Sequence, residues 1–305
     1  MKRWILPAVA VLLAGAIAWP FIFGGGTVEV KGKSFVVEHR LLDDGPMSRL
    51  APTRNRGALA AGSSILCSWD RDRYLYFWSD GAKAAFDVAF LDAAGKVLQV
   101  GRLRPFSGRD FCDDAGLAST VEARRALFLP EGTTDDVRLA AGDTVSLSSD
   151  LTGAKPEPLL VIKVGGLEVR AELVETYRGR QRGLMHRPMM SKDEGMLFAY
   201  PKEQSSPYLS FYMRHTLMPL DIAFFDGKGR LVNAVPTERA ANPATEGSGI
   251  HSAAQGPARF VLEMPIGWFR EKGLTDDKGK PVKEVLMELP DILRARADKA
   301  ESSSR

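Results

Sequence analysis

The sequence predicts a mainly β fold: two tandem compact β-barrel or sandwich-like domains with little helix, following an N-terminal hydrophobic helix. Three observations carry this expectation. Short apolar runs bounded by Gly, Pro and Asp recur along the chain, Phe260-Val-Leu-Glu263 among them. A long block of sequence occurs twice in the same order. The longest uncharged apolar segment, Trp4 to Phe23, lies at the very start, behind Lys2 and Arg3.

The duplication is read position by position. Val28-Glu-Val-Lys-Gly-Lys-Ser-Phe-Val-Val-Glu38 alternates apolar and polar residues around a turn, which is a hairpin signal. The pattern returns at Ile162-Lys-Val-Gly-Gly-Leu-Glu-Val-Arg-Ala-Glu172, so that Val28 corresponds to Ile162 and Glu38 to Glu172. Arg54-Asn-Arg-Gly57 then matches Arg180-Gln-Arg-Gly183. Further on, Phe77 faces Phe211, Asp87 faces Asp221, Gly95 faces Gly229, and Leu129-Pro-Glu-Gly132 faces Met264-Pro-Ile-Gly267. A repeat this long is a whole domain, not a solenoid unit. The expected organisation is an export segment over 1–26, a first domain over 27–147, a linker over 148–158, a second domain over 159–289 and a polar tail over 290–305. The linker is polar and Pro-containing. The 305-residue length suits two domains.

A basic start followed by an apolar segment reads as an export signal. Ala16-Ile-Ala18 offers a small-x-small cleavage site, whereas the span from Trp4 to Phe23 is long enough to remain as a membrane anchor. Both readings place the rest of the chain outside the cytoplasm, in the periplasm or its equivalent, with the membrane as one partner. The net charge of +3, without a run of like charges, speaks against nucleic acid. Cys67 and Cys112 lack the paired spacing of a structural zinc site, leaving one disulfide or two buried thiols. An oxidising compartment favours the disulfide.

The most informative stretch runs from Phe211 through Met213, Arg214, His215, Pro219 and Asp221 to Asp226-Gly-Lys-Gly229. Pro219 marks where a strand begins, and Asp-Gly-Lys-Gly reads as the hairpin turn that follows it. A loop there delivers Met213, Arg214, His215 and Asp221 to the mouth of a buried hairpin. A short helix is expected from Thr176, which suits an N-cap.

Arg182-Gly-Leu-Met-His-Arg187, Gly195-Met-Leu-Phe198, Phe211-Tyr-Met-Arg-His-Thr-Leu-Met-Pro-Leu-Asp221 and Phe260-Val-Leu-Glu263 with Gly267 appear in that order. Over roughly Leu160 to Val285 this resembles the uncharacterised family called domain of unknown function 192. The first copy is similar only in its skeleton: Phe77-Trp-Ser-Asp-Gly-Ala-Lys-Ala-Ala-Phe-Asp87 stands where the central motif belongs. The resemblance implies a compact β-barrel domain, often exported, with no established activity. Within the motif, Tyr212, Arg214 and His215 replace the usual Trp, Lys and Asn.

Arg182, Met185, Arg187, Met213, Arg214, His215 and Asp221 are therefore the ligand-binding candidates. Arg suits bidentate capture of a carboxylate, phosphate or sulfate, so a small polar, anionic or polyhydroxy ligand fits. The competing reading makes Asp221 and its Arg neighbours caps for strand ends. Met185, Met189, Met190, Met196, Met213 and Met218 near His186 and His215 are ligand types for Cu(I), but Met equally fills irregular cores. No G-x-S-x-G elbow, cofactor motif or metal motif is present, and no catalytic residue stands out. Asp221 with Glu263 is the carboxyl pair to examine for glycoside chemistry. The sequence favours a non-catalytic binding or accessory module of the envelope. A hydrolase or transferase acting on an envelope saccharide is the alternative.

Overall fold

The computed structural model describes residues 22–23, 26–41, 53–79, 81–152, 159–204, 209–242, 251–290 and 293. The segment Trp4 to Phe23 with its Ala16-Ile-Ala18 site, apart from Ile22 and Phe23, lies outside them, as do most of the 148–158 linker and nearly all of the 290–305 tail. Among the described residues no helix is long and apolar enough to cross a membrane.

The first copy contains β1 (Ile22–Phe23), β2 (Thr27–Val30), β3 (Lys33–Leu41), β4 (Ser63–Phe77), β5 (Phe86–Leu91), β6 (Val97–Leu103) and β7 (Leu117–Pro130). Short helix α1 (Thr133–Asp136), strand β8 (Val145–Leu147) and helix α2 (Ser149–Thr152) follow. The second copy runs β9 (Leu160–Val164), β10 (Leu167–Val174), α3 (Tyr177–Arg182), β11 (Glu194–Gln204), β12 (Ser210–Tyr212), β13 (Leu220–Phe225) and β14 (Leu231–Thr237). It ends with β15 (His251–Ala253), β16 (Ala258–Pro265), α4 (Trp268–Glu271) and β17 (Met287–Glu288).

The two large sheets have one topology. Their strand orders are β6-β5-β7-β4-β3-β2-β8 and β14-β13-β16-β11-β10-β9-β17, and a small β12-β15 ribbon belongs to the second copy. The correspondence extends to register. Asp87 lies opposite Arg102 and Leu129, and Asp221 lies opposite Pro236 and Met264. Val36 pairs with Ser63 in the one parallel pairing of the first sheet, as Arg170 pairs with Glu194 in the second.

Each sheet curls until its edges meet at one end. Single antiparallel bridges join Lys96 to Thr144 and Arg230 to Leu286. Gly95 and Gly229 make this closure possible. A Cβ on Gly95 would lie 2.3 Å from the Val145 carbonyl oxygen, and one on Gly229 would lie 2.5 Å from that of Met287. Both glycines also hold positive φ, +90° and +79°, which a side chain disfavours. Strands buried on both faces, such as Phe86–Leu91 and Leu220–Phe225, explain the continuous apolar runs in the sequence. The buried side chains of the second copy form two clusters, one on each face of β13 and β16.

Asp221 caps α4. Its Oδ1 accepts from the Gly267 amide and its Oδ2 from the Phe269 amide, each at 3.0 Å. Asp87 does the same work for α1, accepting from the amide and hydroxyl of Thr134 at 2.8 Å. The aspartate at the second position of β5 and β13 thus satisfies helix amides that α-helical bonding leaves open. Asp221→Ala is expected to destabilise the chain by about 1–3 kcal/mol, the cost of leaving buried donors unpaired, with Asp221→Asn milder. Urea denaturation of both variants checks this.

Candidate functional site

One end of the second copy opens into a cavity of about 310 Å³, reaching from Arg180 and Gly183 to Phe198, Tyr200, Tyr212 and Glu263. Helix α3 forms one wall. Thr176 starts it by accepting the Gly179 amide at 3.1 Å, and Gly183 ends it at a φ of +46°. A Cβ on Gly183 would sit 3.3 Å from the Phe198 ring and 3.9 Å from Glu263 Oε2, so glycine keeps the floor of the cavity open. The β12-β15 ribbon supplies the opposite wall through Phe211 and Tyr212.

Glu263 is a carboxyl in an apolar strand. It is buried on β16 opposite Met196 and Ile222, and its Oε2 has no hydrogen-bond partner among the described residues. Burial pushes its carboxyl up to about 8, with Arg187 pulling the other way. At neutral pH the group is mostly protonated and offers an O–H to whatever enters the cavity.

Beneath it runs an ion network that joins the two copies. Arg73 Nη2 of the first copy donates to Glu172 Oε1 at 2.7 Å. Arg187 grips the same carboxylate with both terminal nitrogens, at 3.1 and 2.7 Å. Glu194 Oε2 lies 3.4 Å from Arg73. All four side chains are buried. Burial lowers Arg187 to about 10, still a cation at pH 7, with Tyr76, Glu194 and Glu263 opposing the shift. Arg71 Nε also lies 3.6 Å from Glu194 Oε1, so three guanidiniums face Glu172 and Glu194.

At the rim, four motif side chains of the second copy meet one turn of the first. Arg182 donates from Nε and Nη2 to the Phe111 carbonyl, at 3.1 and 2.7 Å, with its guanidinium 4.6 Å above the Trp78 ring. His186 Nε2 lies 2.6 Å from the Cys112 carbonyl. Arg214 donates to Asp110 at 2.8 Å and to Asp113 at 2.5 Å, and His215 Nε2 is 2.9 Å from Asp113. The two imidazoles stack 4.5 Å apart, both on left-handed backbone at φ +60° and +55°. Burial holds His186 below the ordinary imidazole range, with the Cys112 carbonyl opposing.

The candidates therefore separate. Arg182 and Met185 border the cavity, Arg187 lies under it, and Arg214 with His215 form the rim contact. Met213, Met196 and Met218 pack in the core. Asp221 and Glu263 do not face each other. Asp221 sits opposite Met264 and Glu263 opposite Ile222, and neighbouring residues on a strand alternate faces. The expected Cys67–Cys112 bridge gives way to two free thiols. Cys67 packs into the first core opposite Ala126, whereas Cys112 Sγ points across the junction to the Gln181 carbonyl at 3.9 Å. Burial raises the Cys112 thiol to about 11, with Asp110 adding to the shift. Sequence reasoning missed Glu172 and the 110–114 turn, and it weighed Glu263 only as a partner for Asp221. A lone carboxylate inside Phe260-Val-Leu-Glu263 was the available signal.

A duplicated, curled β-sheet with a polar cavity in its second copy is the class these features define. The chain belongs to the family of domain of unknown function 192, described as an uncharacterized ACR, whose model matches residues 43–147 and 160–280. A solved structure of a protein of unknown function from Novosphingobium aromaticivorans is 27% identical, covering 42% of this chain and 83% of its own, with a TM-score of 0.33. A candidate transcription regulator from Sinorhizobium meliloti is 23% identical, covering 44% and 97%, with a TM-score of 0.34. Comparison with curated proteins gives no match.

Glu263 makes a pH signature. Its folded carboxyl is raised to about 8 from 4.5, so its contribution is fully present below the lower value and is lost as pH rises through the upper one. Between those values wild-type stability should fall by at most about 1.4 kcal/mol per pH unit relative to Glu263→Gln. Urea denaturation of both proteins at pH 5, 6.5 and 8 measures the difference.

Proposed function

We propose that this chain is a non-catalytic binding module of the cell envelope, held outside the cytoplasm through its N-terminal segment. Its ligand occupies the cavity of the second copy, and the first copy is a degenerate structural partner. The observation that carries the reading is Glu263: a buried carboxyl with an unpartnered oxygen at the floor of a cavity with aromatic walls. Orphaned buried polar atoms are rare without a role, and a partner from outside would satisfy this one. An acceptor on the ligand, such as a hydroxyl, carbonyl or carboxylate oxygen, matches the O–H that Glu263 offers. The saccharide-hydrolase alternative is disfavoured because Asp221 and Glu263 point to opposite faces, whereas glycosidases flank one bond with two carboxyls.

Degeneracy of the first copy rests on the matching position. Phe128, fully buried, lies opposite Ile65 and Val88 where Glu263 lies opposite Met196 and Ile222. In place of the carboxyl, the Phe128 ring packs edge-on against Phe77 and Phe86.

Thermal-shift screening of the full chain with monosaccharides, polyols and small carboxylates tests the cavity. At least one class should raise the melting temperature, and Glu263→Phe, copying Phe128, should remove that response. A response that survives Glu263→Phe places the ligand elsewhere. For location, an alkaline phosphatase fusion after Ser148 should be active, and a silent fusion with an active cytoplasmic reporter overturns the envelope assignment.

A further inference from the structure

We infer that Arg182, His186, Arg214 and His215 of the second copy form a receptor for an acidic turn, and that Asp110–Asp114 of the first copy occupies it in cis. Each residue of that segment presents an oxygen to the second copy. Asp110 and Asp113 use carboxylates, Phe111 and Cys112 use carbonyls, and the Asp114 carboxylate lies 3.6 Å from Arg182. The acidic turn is shaped before it docks, because Asp110 Oδ1 accepts the Cys112 amide at 3.0 Å and the Asp113 amide bonds the Asp110 carbonyl at 3.0 Å. The receiving face is also set in advance. His186 and His215 hold strained left-handed backbone, locked by the His186 amide bonding the His215 carbonyl at 2.7 Å. An anionic segment matched to four cationic or donor side chains is the chemistry of acidic-motif recognition.

The Arg214 half of this contact is releasable, unlike the network beneath it and unlike Arg182 and Asp114, whose side chains are each 3% exposed. The side chains of Arg214, Asp110 and Asp113 are 28%, 43% and 47% exposed, against 6% or less for Arg73, Glu172 and Arg187. Exposed pairs are weak one by one and are screened by salt. The first copy is thus held by the buried network and by Arg182, and opening the exposed clasp frees the Arg214–His215 face for an acidic segment of a partner protein.

Cys112 reports the clasp, with Cys67 as an internal control for unfolding. Alkylation of the native full chain should modify Cys112 slowly, and about tenfold faster in Asp110→Ala/Asp113→Ala, the effect of losing two partly exposed charge pairs. Raising sodium chloride from about 0.1 M to about 1 M should speed it in wild type. Cys67 should stay unmodified throughout. A fluorescent peptide of residues 104–116, carrying Cys112→Ser, should bind the opened double variant by anisotropy. It should not bind wild type, nor the double variant with Arg214→Ala and His215→Ala added. Unchanged Cys112 alkylation in the double variant overturns the releasable clasp. Failure of the peptide to bind the opened chain, or equal binding without Arg214 and His215, overturns the receptor.

Discussion

The buried carboxylate of Glu172, held from one side by Arg73 and from the other by Arg187, is the constraint around which the molecule is arranged. Two guanidiniums and their carboxylates have been taken out of water together. Removing any one partner leaves an uncompensated buried charge, a penalty of about 3–5 kcal/mol. The sheets are therefore fixed to each other at that point, and an apolar contact could have slid where this bidentate grip cannot. The same grip determines the cavity. Arg187 gives both terminal nitrogens to Glu172, and burial, with Arg187 opposing, raises the Glu263 carboxyl.

The duplicated register shows which features belong to the scaffold and which to one copy. Asp87 and Asp221 cap equivalent helices, and Gly95 and Gly229 admit equivalent closing strands, so these pairs follow from the architecture alone. Glu38 and Glu172 also correspond, yet Glu38 pairs with Arg56 within its own copy while Glu172 is shared across the junction. At the next layer the copies part. Phe128 continues a packed aromatic cluster, and Glu263 interrupts one.

Much of this was legible in the sequence. The hairpins at Val28 and Ile162, the strand starting after Pro219, the Thr176 cap and the Asp226 turn were local signals, and local chemistry carried them into the structure. The collinear repeat gave the tandem organisation, and Asp221 could be read as structural because Asp87 persists without the same neighbours. The site was only half legible. Arg182, Met185 and Arg187 stood out in the motif, but Arg182 reaches Phe111 71 positions away, and Arg187 shares Glu172 with Arg73 of the other copy, pairings that no periodicity reports. The disulfide expectation failed for the same reason. Compartment and spacing do not reveal that Cys67 faces one core and Cys112 faces Gln181 of the other copy.

The first copy is also part of the cavity's construction. The cavity wall α3 is gripped on its outer side by the 110–114 turn: Arg178 and Arg182 both lie over the Phe111 ring, and Cys112 points at the Gln181 carbonyl. On the inner side Tyr212 donates to that same carbonyl at 3.3 Å. The last turn of a six-residue helix, too short to be stable alone, is thus held between the two copies. Displacing the acidic turn would loosen one side of the wall while Tyr212 and the buried Arg187–Glu172 pair kept the other. The rim and the cavity are physically continuous through Gln181 and Arg182, so a coupling between a ligand at one and a ligand at the other would be equal in both directions.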